Sequence, residues 1–172
     1  RSAIKVLGGI PSKAIVTFYN SFARTYEGHG SDKAIIAGLL NFKTDDERIK
    51  NSFEHAAEKG LEYSFKSVDN AATLHPNTIK LLLTKGEIEV EVIGESRGGG
   101  VISIRQVNGF TANFSAALHT LIIFAEDTKG SIAFIANILN NDRINIATMS
   151  VSRKGKNAVA CLVIEMDSGL KE

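Results

Sequence analysis

The spacing of apolar positions changes several times along the chain, and each change predicts an element. Arg1-Ser2-Ala3-Ile4-Lys5-Val6-Leu7-Gly8-Gly9 reads as the last turns of a helix, closed by a glycine able to take the left-handed cap conformation. Lys13 to Asn20 is rich in β-branched and aromatic residues and predicts a strand, which feeds Ser21-Phe22-Ala23-Arg24-Thr25. A helix is expected from Ser31 to about Leu40. Thr44-Asp45-Asp46-Glu47 then reads as a capping box, Thr44 accepting from the Glu47 N–H, and starts a second helix that runs to Lys59 and stops at Gly60. Its Ile49, Phe53, Ala56 and Ala57 fall on one face, so that face packs, while His55 lies off the stripe and is a surface residue. Leu61 to Val68 predicts a strand, and Asp69 to Thr78 breaks regular structure. Four strands follow at Ile79–Leu83, Ile88–Ile93, Val101–Val107 and Phe110–Phe114, the last two joined by the hairpin pair Asn108-Gly109.

The pattern resets at Ala116-Ala117-Leu118-His119, which divides the chain into a first domain, 1–116, and a second, 117–172. The second begins with a strand, Thr120–Glu126, and a turn with helix-start chemistry, Asp127-Thr128-Lys129-Gly130-Ser131. A helix from Ile132 to Leu139 places Ile132, Ile135, Ala136 and Leu139 on one side and stops at Asn140-Asn141-Asp142. Strands at Ile144–Ser152 and Ala158–Met166 close the pattern around the turn Arg153-Lys154-Gly155-Lys156. This β-α-β-β order is three-quarters of a ferredoxin-like unit whose remaining helix and strand are absent. The fold class expected is therefore α+β: a mixed-sheet domain followed by an incomplete ferredoxin-like βαββ unit.

Composition narrows the function classes. In 172 residues, 44 % are hydrophobic and 23 % charged, as in ordinary globular chains, and the formal net charge is +1. Both signs are spread along the whole length, so no basic stripe argues for nucleic acid. No apolar run approaches the roughly 20 residues that a membrane helix needs. A cytoplasmic protein without a membrane partner is expected. The chain opens without Met, which suggests a piece of a longer one. Cys161, the only cysteine, sits in an apolar strand pattern and reads as a buried core thiol. Alone it can make neither an intrachain disulfide nor an iron–sulfur site.

The polar chemistry gathers in three stretches. In Tyr26-Glu27-Gly28-His29-Gly30-Ser31-Asp32 two glycines flank a histidine just before a helix. Gly28 and Gly30 allow positive φ and close approach of a ligand, Ser31 is a good N-cap, and the helix start attracts a carboxylate or phosphate. A tight strand-to-helix turn explains the same residues equally well, and the spacing does not match a nucleotide-binding glycine motif. In His75-Pro76-Asn77-Thr78 the proline holds His75 extended, leaving either a plain turn or a ligand contact. Gly94-Glu95-Ser96-Arg97-Gly98-Gly99-Gly100 reads as a second glycine-rich loop near a ligand, its consecutive N–H groups able to hold an anion.

Taken together and in order, Phe18-Tyr19-Asn20-Ser21-Phe22-Ala23, Thr25 to Asp32, His75 to Thr78 and Ser96 to Gly100 resemble the β subunit of bacterial iron–sulfur-dependent L-serine dehydratase. The likeness covers roughly residues 1 to 115. The region from Leu118 onward resembles the ACT domain that follows in that subunit, with Asp127 and Gly130 in its ligand-and-interface loop and Asn145 entering its second strand.

The resemblance implies conversion of L-serine to pyruvate and ammonia, with a [4Fe–4S] cluster held by a partner α subunit and not by this chain. It implies that His29, Ser31 and Asp32 help close the active site against that subunit, His29 donating to a substrate carboxylate and Asp32 orienting the imidazole. The first domain is also similar to the allosteric substrate-binding domain of some phosphoglycerate dehydrogenases. On that likeness His75, Asn77, Ser96, Gly98, Gly99 and Gly100 form a regulatory site for serine or another small anion. The runner-up reading is accordingly an amino-acid-sensing module of such a dehydrogenase. A homo-oligomer through the ACT-like unit is expected. Two departures stand out: a serine-rich motif with its histidine that precedes this region in the family is missing, and Arg97 replaces a smaller or apolar residue.

Overall fold

The computed structural model describes residues 1–115, 117–155 and 158–170. The expected boundary residue Ala116 and the Lys156 end of the last turn lie outside them. The first helix, α1 (Ser2–Leu7), ends at Gly8, whose φ of 79° is the left-handed cap the glycine was expected to supply. Strand β1 (Lys13–Tyr19) leads through two helices, α2 (Ser21–Thr25) and α3 (Ser31–Leu39), to a 3₁₀ turn (Glu47–Asn51) and α4 (Ser52–Glu58). Strands β2 (Glu62–Val68), β3 (Thr78–Lys85), β4 (Ile88–Gly98), β5 (Val101–Val107) and β6 (Phe110–Ser115) complete a six-stranded sheet in the order β2-β1-β3-β4-β5-β6. β1 and β2 run parallel because the helical segment carries the chain back between them, whereas the other neighbours are antiparallel. This is the mixed sheet of an α+β protein.

Alternation along the strands decides where the core lies. Ala14, Val16 and Phe18 of β1 share a face with Leu83, Val90 and Val92, and the helices cover it through Ile4, Leu7, Ile36, Leu39 and Ala56. The opposite face carries Thr17 beside Lys80 and Leu82 beside Glu91. A second sheet, in the order β7-β9-β8, is built from β7 (His119–Glu126), β8 (Ile146–Arg153) and β9 (Val159–Met166), with α5 (Ser131–Asn141) between β7 and β8. Leu139 of α5 packs on Ile144, Ile164 and Met166. On the other face of β9, Cys161 and Val163 join the core that contains Phe110, Ala112 and Phe114 of β6. Being covered on both faces is why β9 reads as a continuous apolar run from Val159 to Ile164. Among the described residues, no helix is long and apolar enough to cross a membrane.

Several local expectations are corrected. Helix α3 is capped by Gly30, with φ of 64°, and Ser31 is its first helical residue, making no capping bond; Gly28 does not use positive φ. The Thr44–Glu47 capping box does not form. Asp46 caps instead, its carboxylate taking the N–H of Arg48 at 3.0 Å and the guanidinium at 2.9 and 2.7 Å, so the nearer two-residue turn wins. Ala57 is exposed, because the 3₁₀ turn ahead of α4 rotates the expected stripe; Ala56 is fully buried. On α5, Ile132 is likewise exposed although Leu139 is buried.

The seven-residue glycine loop is also mostly strand. β4 continues to Gly98, which pairs with Val101, so the connection is the two-residue turn Gly99-Gly100. Gly98, Gly99 and Gly100 have φ of 87°, 59° and 78°, which explains all three glycines by backbone conformation. Nothing lies within 4 Å of where a Cβ would stand on any of them.

Candidate functional site

Parallel β1 and β2 end side by side, Tyr19 opposite Val68, and β3 begins at the same edge, with Thr78 opposite Glu95 of β4. The segments 20–32, 69–77 and 95–102 therefore emerge at one end of the sheet, beyond the carboxyl ends of the parallel pair, where open sheets commonly place ligands.

Asn20 is the hinge of this end. Its φ of 55° and ψ of −126° turn the chain off β1, and its side chain holds the neighbouring loop. The amide Nδ2 donates to the carbonyls of Ala71 and Leu74, each at 3.1 Å, and Oδ1 accepts from the Ala71 N–H at 2.8 Å. Further ties are the Phe22 N–H on the Pro76 carbonyl at 3.1 Å and the Arg24–Asp69 ion pair at 2.7 Å. Sequence reasoning missed Asn20. Its one signal was an asparagine standing between a strand and Ser21, where φ > 0 is tolerated.

Next comes the histidine loop. Tyr26 stacks on Phe18, 4.1 Å between centroids and 10° between planes, and seats α2 on the end of β1. Its hydroxyl donates to Glu27 Oε1 at 3.1 Å; partial desolvation first, then Glu27, raise the phenol's pKa. The Ser31 N–H is taken by the Tyr26 carbonyl at 2.8 Å and the Lys33 N–H by Asp32 Oδ1 at 2.8 Å. Asp32 therefore occupies the helix start that was expected to seat an anion.

His29 is exposed, and its Nδ1 lies 2.9 Å from the Thr25 carbonyl. A carbonyl only accepts, so Nδ1 carries the hydrogen and a neutral ring leaves Nε2 as a lone pair. The contact that orients the imidazole is thus made to Thr25, while Asp32 bonds the Lys33 N–H.

His75 has the opposite tautomer. Its Nδ1 accepts from the Asn77 N–H at 3.2 Å, which leaves Nε2–H as the donor of a neutral ring. Its carbonyl accepts from Thr78 Oγ1 at 2.8 Å, and the Asn77 carbonyl accepts from the Ser96 N–H at 3.0 Å. His75, Asn77 and Ser96 are brought together by these bonds. Gly98, Gly99 and Gly100 stand apart as the tip of the hairpin.

The residues expected in the second unit's loop are divided. Asp127 and Gly130 line a groove of about 420 Å³ with Ser131, Val151, Ala160 and Leu162. Asp127 is paired with Arg153, and Thr128 Oγ1 lies 2.6 Å from Ser131 Oγ. Asn145 lies at the opposite end of that sheet, where its Nδ2 donates to Asp167 Oδ2 at 2.6 Å. Asp127 follows the end of β7, whereas Ile146 pairs with Met166 beside the start of β7.

The residues of this chain do not fit an iron–sulfur cluster. Such a cluster takes several thiolates, and the one thiol, Cys161, is fully buried between the two sheets, where desolvation raises its pKa. Among the described residues, no three His, Cys, Asp or Glu side chains converge as a metal site.

No protein-family model matches the chain. Over all 172 of its residues it is 41 % identical to the probable L-serine dehydratase, beta chain, of Bacillus subtilis (strain 168), covering 78 % of that protein. Over 155 residues, 90 % of this chain and 70 % of the relative, it is 34 % identical to the L-serine dehydratase, beta chain, of Peptoniphilus asaccharolyticus. It is also 29 % identical over 141 residues to the D-3-phosphoglycerate dehydrogenase of Bacillus subtilis (strain 168), matching 81 % of this chain but 27 % of that enzyme. With identities of 41 % and 34 % along most of both beta chains, this chain belongs to the family of L-serine dehydratase beta chains.

Proposed function

We propose that this chain is the β subunit of an L-serine dehydratase that converts L-serine to pyruvate and ammonia, and that it acts only with an α subunit that holds a [4Fe–4S] cluster. Loss of the α-proton and of the hydroxyl as water gives 2-aminoacrylate, which tautomerises to the imine and hydrolyses. The observation that carries a role for this chain in that site is the exposed His29 with Nδ1 committed to Thr25. Its Nε2 accepts a hydrogen bond or a proton from substrate, and Ser31 and Asp32 flank it at the start of α3. With Nδ1–H held by Thr25, a neutral His29 offers Nε2 as an acceptor, and donating to the substrate carboxylate takes the protonated ring.

The test is His29→Ala in the reconstituted α/β enzyme. Turnover is expected to fall at least about a hundredfold, the scale of a lost acid–base group, with unchanged melting of the isolated chain. Unaltered steady-state kinetics would remove His29 from the site.

A second, compatible role is regulatory. The dehydrogenase relative overlaps 141 residues of this chain but only 27 % of its own length, as an appended module would. His75, Asn77 and Ser96 then sense serine, the groove beside Asp127 and Gly130 is a further ligand site, and the ACT-like unit pairs chains. His75→Ala or Asn77→Ala is expected to change the shape of the serine saturation curve more than the maximal rate. A lower maximal rate with the same curve shape would contradict that role.

A further inference from the structure

The β4–β5 hairpin contains two insertions. Ile93 pairs with Gln106 but Gly94 with Ile104, which leaves Arg105 extra; Ser96 pairs with Ile102 but Gly98 with Val101, which leaves Arg97 extra. A β-bulge gives up ladder pairing and re-aims the inserted side chain. Both inserted side chains are arginines, and both reach one carboxylate. Arg97 Nη2 lies 2.7 Å from Glu95 Oε2, and Arg105 Nε lies 3.5 Å from Glu95 Oε1.

Arg97 stands at ion-pair distance from Glu95, and Arg105 is farther off. Glu95 Oε2 is buried and accepts no hydrogen bond of ordinary geometry among the described residues, although the Arg97 guanidinium lies 2.7 Å away. The Arg105 distance exceeds the 2.7–2.9 Å typical of a charge-assisted bond. The Glu95 side chain is 11 % exposed, whereas those of Arg97 and Arg105 are 44 % and 41 % exposed. Two half-exposed cations thus share one buried anion. One positive charge is left over, along with guanidinium N–H groups that Glu95 does not use.

We propose that Arg97 and Arg105 form a site for the carboxylate of a small monocarboxylic acid, with Glu95 as the buried counter-charge that holds the two guanidinium groups together. The single surplus charge matches one carboxylate. The site adjoins the His75 segment, since Glu95 pairs with Thr78 and the Ser96 N–H bonds Asn77. That serine is the ligand rests on the regulatory reading of that segment.

The test follows the arginine Nε–H signals of the full chain by NMR during titration with L-serine, with glycolate (carboxylate without ammonium) and with L-serinamide (ammonium without carboxylate). Serine and glycolate are expected to shift both signals saturably and serinamide to leave them unmoved. Arg97→Ala or Arg105→Ala is expected to weaken carboxylate binding about tenfold, and Arg105→Lys, which keeps charge but not the fork, by less. Glycolate binding without serine binding would support the site and defeat the serine-sensing reading. Serine binding that survives both alanine variants but is lost in His75→Ala would overturn the site and leave that reading standing. Absence of any carboxylate-dependent shift in the unsubstituted chain would also overturn it.

Discussion

His29 and His75 both spend Nδ1, but in opposite roles, His29 as donor and His75 as acceptor. The Thr25 carbonyl takes the hydrogen on Nδ1 of His29, and the Asn77 N–H takes the lone pair on Nδ1 of His75. Replacing His29 by Gln is therefore informative beside the alanine variant. Glutamine can bond Thr25 through its amide and still accept through its oxygen, but it cannot carry a proton. If His29 only accepts a hydrogen bond, Gln restores most of the turnover that Ala loses; if it takes a proton, Gln is as slow as Ala. A second expectation concerns Asp46, whose carboxyl the Arg48 guanidinium and N–H hold down from 3.8 to about 2. A depressed folded pKa stabilises above the unfolded value, so this cap is fully present above about pH 4 and is lost as pH falls through about 2. A carboxyl ¹³C titration of Asp46 with its midpoint near 3.8 would contradict that account.

Elements were legible wherever one face alone is buried. β1, β5 and the Asn108-Gly109 hairpin stand where alternation and turn chemistry put them, and Val107 pairs with Phe110 across that turn. What failed were choices between neighbouring polar residues: Asp46 rather than Thr44 as cap, and Gly30 rather than Ser31. Such choices turn on one backbone angle, which periodicity does not report. Of the site, the histidines and the three motifs were visible in the sequence, but not the groups that hold them, because Asn20 lies 51 and 54 residues from its partners Ala71 and Leu74. The two bulges were equally hidden: an extra residue in a strand looks like any other until register is known. Asn20→Ala removes three part-buried hydrogen bonds and is expected to cost about 2–3 kcal/mol in chemical denaturation. It should also release amide protection across 69–77. Asn20→Gly keeps the unusual backbone accessible, so similar loss in both variants would assign the effect to the side chain. Full stability of the glycine variant would assign it to the backbone.

At the scale of the whole molecule, β9 ties the two sheets into one core. Cys161 and Val163 pack with β6, and the buried Glu165 accepts from Ser115 N–H at 3.3 Å and from Thr148 Oγ1 at 3.0 Å. Urea unfolding is therefore expected as a single transition, with thiol labelling of Cys161 following the same curve as far-UV signal. Labelling that runs ahead of the loss of secondary structure would mean that the second sheet parts from the first. The same wholeness bears on function, for a chain with one buried thiol and an exposed histidine loop is suited to completing a site on another subunit. The measurement that tests this most directly is pyruvate formation from L-serine by the full chain, by anaerobically prepared α subunit, and by the two mixed. Activity is predicted only in the mixture, and it should saturate at a fixed ratio of chains. Full activity of the α subunit alone, or none in a mixture whose chains associate and whose cluster is intact, would contradict the account.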